Sequence, residues 1–479
     1  MWDATVGEVL PRQGAAMPTP LHLTAAAGSL PHVIDTGDTA WLLASSALVL
    51  LMVPGLALFY GGMVRSKSVL NMMMMTIGAL AVITVIWVVA GYSLAFGNDV
   101  GLGLIGDPWQ YVGLQSLLAP ASDTWLSVPV ILFAVFQGLF CVITGALVSG
   151  AVADRARFGA WLVFVGVWTV LVYAPVAHWV FDLDRPGHSG GWLANSVGTI
   201  DFAGGMPVEI CSGASALALA LVVGRRVGFG QEAMRPHNLT LVMLGAGLLW
   251  FGWFGFNAGS ALGANHTAAV VFVTTTCAGS AGASGWLLLE RFRDGHATTL
   301  GAASGMVAGL VAITPSCGSV TPLGALVMGV LAGVVCALAV GLKYRLGYDD
   351  SLDVVGVHLV GGLVGTIGIG LLASAAAPTH VDGLLYGGGP GRLGIQLLGA
   401  GAVLVYAFTV SGVLAWGVHR AMGFRIEEEH EVSGIDLVIH AESAYDLHSS
   451  AGARTGFTAP KAASGPFAAQ RPPTERLEP

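Results

Sequence analysis

Three ionisable side chains stand inside stretches that are otherwise apolar. Asp201 opens the run Asp201-Phe202-Ala203-Gly204-Gly205-Met206-Pro207-Val208-Glu209-Ile210-Cys211-Ser212-Gly213, and Glu209 lies about two turns inside the apolar segment that continues to about Val223. A carboxylate in a helix of membrane length costs several kcal/mol unless it faces a partner or a water-filled path, so it marks a functional site by default. The counterpart is in Asp353-Val354-Val355-Gly356-Val357-His358, where the histidine lies between Val357 and Leu359. If the two helices meet, Glu209 and His358 titrate as a coupled pair and can pass a proton. The rest of the chain reads as the scaffold that brings them together.

That scaffold is a membrane protein by composition. Of 479 residues, 54% are hydrophobic and only 10% charged, and the mean hydropathy is +0.75. A soluble domain carries about 25% charged residues. The net charge of −8 gives no basic face for nucleic acid. Gly is 69 of 479, about twice the usual 7%. Small residues let membrane helices approach closely, and Gly301, Gly305 and Gly309 keep a four-residue spacing. Cys141, Cys211, Cys277, Cys317 and Cys336 show no metal-type spacing and read as small core residues. No metal or cofactor is expected.

Eleven apolar segments, each near the ~20 residues needed to span, lie roughly at 39–62, 70–96, 126–150, 159–181, 205–223, 238–262, 266–289, 298–314, 321–341, 354–374 and 393–421. Basic residues follow the odd-numbered spans: Arg65 and Lys67, Arg155 and Arg157, Arg225, Arg226 and Arg235, Arg291 and Arg293, Lys343 and Arg345, Arg420 and Arg425. The other loops offer Arg185 and Arg392. This alternation puts the N-terminus outside and the C-terminus inside. The fold class expected is an all-α polytopic membrane protein of eleven transmembrane helices, with two inverted five-helix halves plus one extra helix. Residues 1–37 form an extracytoplasmic arm without a cleaved signal peptide. Residues 38–422 are the eleven-helix membrane domain. Residues 423–479 are a cytoplasmic tail with an acidic run from Glu427, disordered beyond about 450.

Other motifs are weaker. Gly101-Leu102-Gly103-Leu104-Ile105-Gly106 fits a dinucleotide fingerprint but opens no βαβ unit. Met72 to Met75 read as packing or lipid-facing. Phe136-Gln137-Gly138-Leu139-Phe140 sets two rings four residues apart on one helix face, and Phe256 and Ser260 share the same spacing. Each is an ordinary membrane feature alone; with Trp168 and the two buried ionisable residues they point to an aromatic-lined route into a polar interior.

Several longer motifs, in order, resemble the ammonium transporter family (Amt/Mep/Rh), most closely its bacterial Amt branch, over residues 35–447. They are Pro54-Gly55-Leu56-Ala57-Leu58-Phe59-Tyr60-Gly61-Gly62, Asp201 to Gly205, Gly252-Trp253-Phe254-Gly255-Phe256-Asn257-Ala258-Gly259-Ser260, Thr314-Pro315-Ser316-Cys317-Gly318 and Asp353 to His358. The resemblance implies a homotrimer with a pore through each subunit in the cell membrane. It implies an ammonium recruitment site of Phe136, Trp168 and Ser260, a gate of Phe140 and Phe256, and a pore containing Trp253, Glu209 and His358. Asp201 matches the acid that supports the recruitment site without touching ammonium. Glu209 departs from the family pattern, which has a first histidine there; some fungal relatives carry Glu at this place.

The function this implies is transport of ammonium or ammonia, with methylammonium as an analogue, the Glu209/His358 pair relaying the proton, and no enzymatic activity. The tail, with Gly434-Ile435-Asp436 and His440-Ala441-Glu442-Ser443-Ala444-Tyr445, resembles the segment that helps dock a PII-type signal protein. The alternative is an ammonium sensor with little flux, signalling through PII-type or other cytoplasmic partners.

Overall fold

Apolar sequence without internal backbone partners in lipid must become helix. The structure, a computed structural model, describes residues 33–119 and 125–445. Most of the expected N-terminal arm, the tail beyond Tyr445 and the disorder expected there lie outside the described residues. Among the described residues, ten helices are long and apolar enough to cross a membrane: α1 (Thr36–Met63), α2 (Val69–Phe96), α3 (Val130–Val152), α4 (Phe158–Phe181), α5 (Gly205–Val223), α6 (Leu239–Gly259), α7 (His266–Arg293), α9 (Pro322–Leu346), α10 (Val355–Leu372) and α11 (Gly391–Met422). The eleventh expected segment is α8 (Thr299–Ile313), an apolar helix of 15 residues. Among the described residues there is no sheet, only isolated bridges such as Asp99 with Gly106.

Polar caps start these helices where the sequence supplies them. Asp35, Asn238, Asn265, Thr298 and Thr321 accept a backbone N–H three residues on, at the heads of α1, α6, α7, α8 and α9, as short oxygen-bearing side chains do. α8 needs less length because it is buried: Val307, Leu310, Val311 and Ile313 are all buried. It stops at Thr314-Pro315, where the Pro315 carbonyl accepts from Phe202 N at 3.0 Å.

α1 packs along α6, α7 lies against both α8 and α9, and α5 lies against α11. α10 contacts α8, α9 and α11, and its head meets α5. Two glycines permit that last crossing. A Cβ on Gly213 would sit 2.5 Å from Leu359 N, and one on Gly362 would sit 2.8 Å from Glu209 Cβ. Several helices contain wide turns with one more residue per turn than an α-helix: Trp87–Gly91 in α2, Thr169–Tyr173 in α4, Gly205–Ile210 in α5 and Val355–Leu359 in α10. Such turns recur at functional positions.

At the end of the bundle where α2 begins, the tail forms α12 (Glu428–Ser433) and α13 (Ile435–His440). The Asp436 carboxylate accepts from Leu70 N at 3.0 Å and Asn71 N at 2.8 Å. It caps α2, whose own Ser68 makes no side-chain cap. Buried Glu431 accepts from Val227 N and Arg425 Nη2, at 2.7 and 2.8 Å. Nearby, Arg226 grips Asp349 through Nε and Nη2 at 2.9 and 2.8 Å and reaches Asp154 at 3.2 Å. Burial pushes the Asp349 carboxyl up, but the guanidiniums of Arg226 and Arg155 more than offset it and hold the group below the usual carboxylate range.

Candidate functional site

The head of α5 is set by Asp201. Its Oδ1 accepts from Gly204 N (2.7 Å) and Gly205 N (2.9 Å), and its Oδ2 from Met206 N (2.6 Å). Three otherwise orphan N–H groups are satisfied. Gly204 just ahead has φ +118°, a conformation open to glycine. The head of α10 is held by a different acid than its order in the sequence suggests. Val355 N donates to Asp350 Oδ2 at 2.7 Å. Asp353 instead has φ +64° and pairs with Lys343 Nζ at 2.6 Å.

Those two helix heads bring Glu209 and His358 together. His358 Nδ1 and Glu209 Oε2 are 2.6 Å apart, and both side chains are buried. Each lies in the wide turn of its helix. They line a narrow bore with Met52, Leu56, Phe59, Ile143, Leu147, Leu249, Trp253 and Val307, whose free volume is about 10 Å³. That is room for one molecule the size of water. Trp253 borders it with its N–H turned away, donating to Thr314 Oγ1 at 2.9 Å. At one end Phe256 borders the bore and Phe140 the wider cavity beyond, their rings stacked at 4.0 Å and 11°.

Beyond these rings opens a vestibule of about 240 Å³, lined in part by Trp125, Phe133, Gln137, Phe181, Ser260 and Asp201. Ser260 Oγ donates to Phe256 O at 2.8 Å, which leaves its lone pairs for a guest. Gln137 Oε1 is buried and has no hydrogen-bond partner. A buried unpaired amide oxygen is an acceptor waiting for a donor.

The sequence-expected residues divide here. Phe140, Phe256, Ser260, Trp253, Glu209, His358 and Asp201 converge on one path. Phe136 stands behind Phe140, 4.9 Å edge-to-face from it, fully buried and not part of the vestibule wall. Trp168 is elsewhere, and its assignment to the recruitment site is corrected. It is fully buried, and its Nε1 donates to Ser215 Oγ and Ser411 Oγ at 3.0 and 3.1 Å. The ring that does approach Phe140 from α4 is Phe181, 6.3 Å away edge-to-face. Phe181, Gln137 and Trp125 were missed from sequence. Gln137 lies inside the quoted run from Phe136 to Phe140, and its position between the two rings was the available signal.

The Ammonium Transporter Family model matches residues 40–445. An ammonium transporter of Mycobacterium tuberculosis is 58% identical over 436 residues, covering 87% of this chain and 91% of that protein. The crystal structure of Saccharomyces cerevisiae Mep2 superposes with a TM-score of 0.76 at 37% identity, covering 83% of this chain and 88% of that one. A structure described as a sensor Amt protein gives 0.76 at 27% identity, covering 84% and 98%. Built from eleven apolar helices around a narrow bore, this chain belongs to the ammonium transporter family.

Proposed function

We propose that this multi-pass membrane protein carries ammonium nitrogen across the membrane, with the proton and the ammonia handled separately. The observation that carries the reading is the hydrogen-bonded Glu209–His358 pair in an apolar bore wide enough for one small molecule. An ammonium ion enters the vestibule and exchanges water for the faces of Phe140 and Phe181 and the oxygens of Gln137 and Ser260. Cation–π contact with such rings contributes about 1–2 kcal/mol when partly desolvated. The stacked rings of Phe140 and Phe256 stand between the vestibule and the bore and part to admit it. Inside, the carboxylate and imidazole take up the proton, and neutral ammonia crosses the apolar stretch, where an ion is strongly disfavoured. Asp201 acts by fixing the head of α5 and hence the vestibule wall.

The alternation of basic loops supports an outer vestibule and an inner tail, with the N-terminal arm outside. Exposed apolar faces such as Phe251, Phe272 and Val273 suit lipid or the neighbouring subunits of a homotrimer. The docked tail would present a surface to a PII-type protein. A sensor with little flux is the second reading, favoured by the likeness to the sensor Amt structure. Rescue of growth on low ammonium, in a cell lacking its own transporters, separates the two. The mechanism is tested by Glu209→Gln, which keeps the shape but cannot ionise, and by Glu209→His. Ammonium-evoked current in proteoliposomes, measured from acid to mildly alkaline pH, should fall and lose its pH profile in Glu209→Gln. The same current and profile as the parent would show that Glu209 carries no proton.

A further inference from the structure

Of the two basic residues that follow even-numbered spans, Arg185 is paired with buried Asp182 at 3.1 Å. Arg392 lines the vestibule, is half-buried and forms no ion pair among the described residues. Its Nη1 donates to Gly198 O at 2.7 Å. Gly198, Thr199, Ile200 and Asp201 border the same cavity, so the guanidinium is fixed at that wall. One turn further along α11, Gln396 clamps the wall by itself: Ile200 N donates to its Oε1 at 2.8 Å, and its Nε2 donates to Ile200 O at 2.7 Å. The wall therefore has a second anchor beside Arg392, and the unpaired charge needs a reason of its own.

An arginine side chain stays protonated in a protein. A bare positive charge at the entry to a cation path lowers the occupancy of every cation there, so it must do something that outweighs that loss. The rest of the wall shows what. Asp201, Gln137 and Ser260 bring a carboxylate, an unpaired amide oxygen and a hydroxyl to the cavity. Oxygen ligands of this kind suit calcium and magnesium ions, which would compete with ammonium for them. Coulomb repulsion is proportional to the charge of the arriving ion. Whatever factor in affinity Arg392 takes from a monovalent ion, it takes the square of that factor from a divalent one.

We propose that Arg392 is a specificity-determining residue of the vestibule: a fixed, unpaired positive charge that sorts ions by valence, admitting ammonium and turning away divalent cations. Gln137 and Ser260 then select among monovalent ions for those with N–H donors. This rests on the transport reading for which ion passes on to the bore, but the valence claim is also tested without flux.

A cavity of about 240 Å³ is about 8 Å across, and a unit charge at that distance in a half-solvated site changes a monovalent ion's affinity about fivefold. The first assay is methylammonium uptake by the full chain in liposomes, with Ca2+ as the competing ion, at one pH so that His380, which also lines the vestibule, keeps the same charge throughout. Arg392→Gln removes the charge and keeps a donor for Gly198; Arg392→Met is a second neutral variant, should the first fold poorly. Either should lower the KM for methylammonium about fivefold and tighten inhibition by Ca2+ about twenty-five-fold, and added salt should shrink both gains. Arg392→Lys, which keeps the charge, should behave as the parent. The second assay reads binding without flux, in nanodiscs, as Tb3+ luminescence sensitised by Trp125 of the vestibule. The neutral variants should bind this trivalent ion about a hundredfold more tightly, with a signal lost on adding Trp125→Leu. Unchanged Ca2+ and Tb3+ affinities overturn the proposal, as does an equal shift for methylammonium and Ca2+, or the same gains in Arg392→Lys. A parent without uptake would instead count against the transport reading, while the Tb3+ result still decides this one.

Discussion

Glu209 and His358 lie 2.6 Å apart in an apolar bore, so replacing either leaves the other buried without its polar partner. The aromatic residues around them act more independently, and two substitutions separate their roles. Phe181→Trp enlarges the ring facing the gate and should strengthen ammonium competition against methylammonium uptake by about threefold, in line with the better cation binding of indole. Trp168→Leu should leave that competition unchanged and instead lower thermal stability by about 3 kcal/mol, because it leaves a cavity and deprives Ser215 and Ser411 of their shared donor. Altered competition in Trp168→Leu would return that residue to the site. The error at Trp168 has a simple physical origin. Residue type favoured the indole, but Phe181 lies 13 positions further along α4 (181 − 168), about 20 Å at helical rise. Position along the helix, not ring strength, decides which aromatic reaches the vestibule. Glu209 and His358 were legible because lipid penalises an unpartnered ionisable group so heavily that its presence alone is a signal.

The helices themselves were legible within a few residues, since hydropathy and length fix a membrane span. Their crossings were not. Regular glycine spacing announces close packing without saying which glycine touches what. In the structure Gly362 faces Glu209, and Gly213 faces Leu359 beside His358. Gly362→Ala would place a methyl 2.8 Å from Glu209 Cβ, so α5 and α10 must separate and the pair must stretch. Flux should fall by about tenfold or more while the protein still folds; parental flux in Gly362→Ala would show that the contact is slack. Caps behave similarly. In sequence Asp201 opens the run that leads to Glu209 and Asp353 the run that leads to His358, but only Asp201 holds the head of its helix. That role at α10 belongs to Asp350, because Asp353 is drawn to Lys343, a choice made by a basic residue on another helix.

Over the whole molecule, the loops and tail at one end are locked by buried charge. Asp349 accepts from Arg226, and its carboxyl is held below the usual range. A depressed folded value means that its contribution is present above the unfolded carboxylate value of about 3.9 and is lost as pH falls through the lower folded value. Melting temperature should therefore drop in acid below about pH 4, and Asp349→Asn should lower it at neutral pH and flatten that acid limb. An unchanged acid limb in the variant would assign the loss to other carboxylates. Loss of one partner from a buried pair costs about 3–5 kcal/mol, so the neutral-pH effect should be plain. The sequence showed an acidic run in the tail but not where it lands: Glu431 and Asp436 find partners in loops and a helix head that lie far away in the chain.

Glu209 and His358 each sit in a turn with one residue more than an α-helix needs. Such a turn is in effect an insertion whose flanks have stayed in place. Deleting one residue between Gly205 and Val208 therefore has a way to heal: the turn tightens to ordinary helix, and the flanks on both sides keep their seats. Residues within the healed turn rotate by up to about 100°. The same deletion in the middle of α6 would instead throw half of that helix out of register. A chain shortened by one residue at the head of α5 should fold, insert and bind its tail, yet conduct nothing.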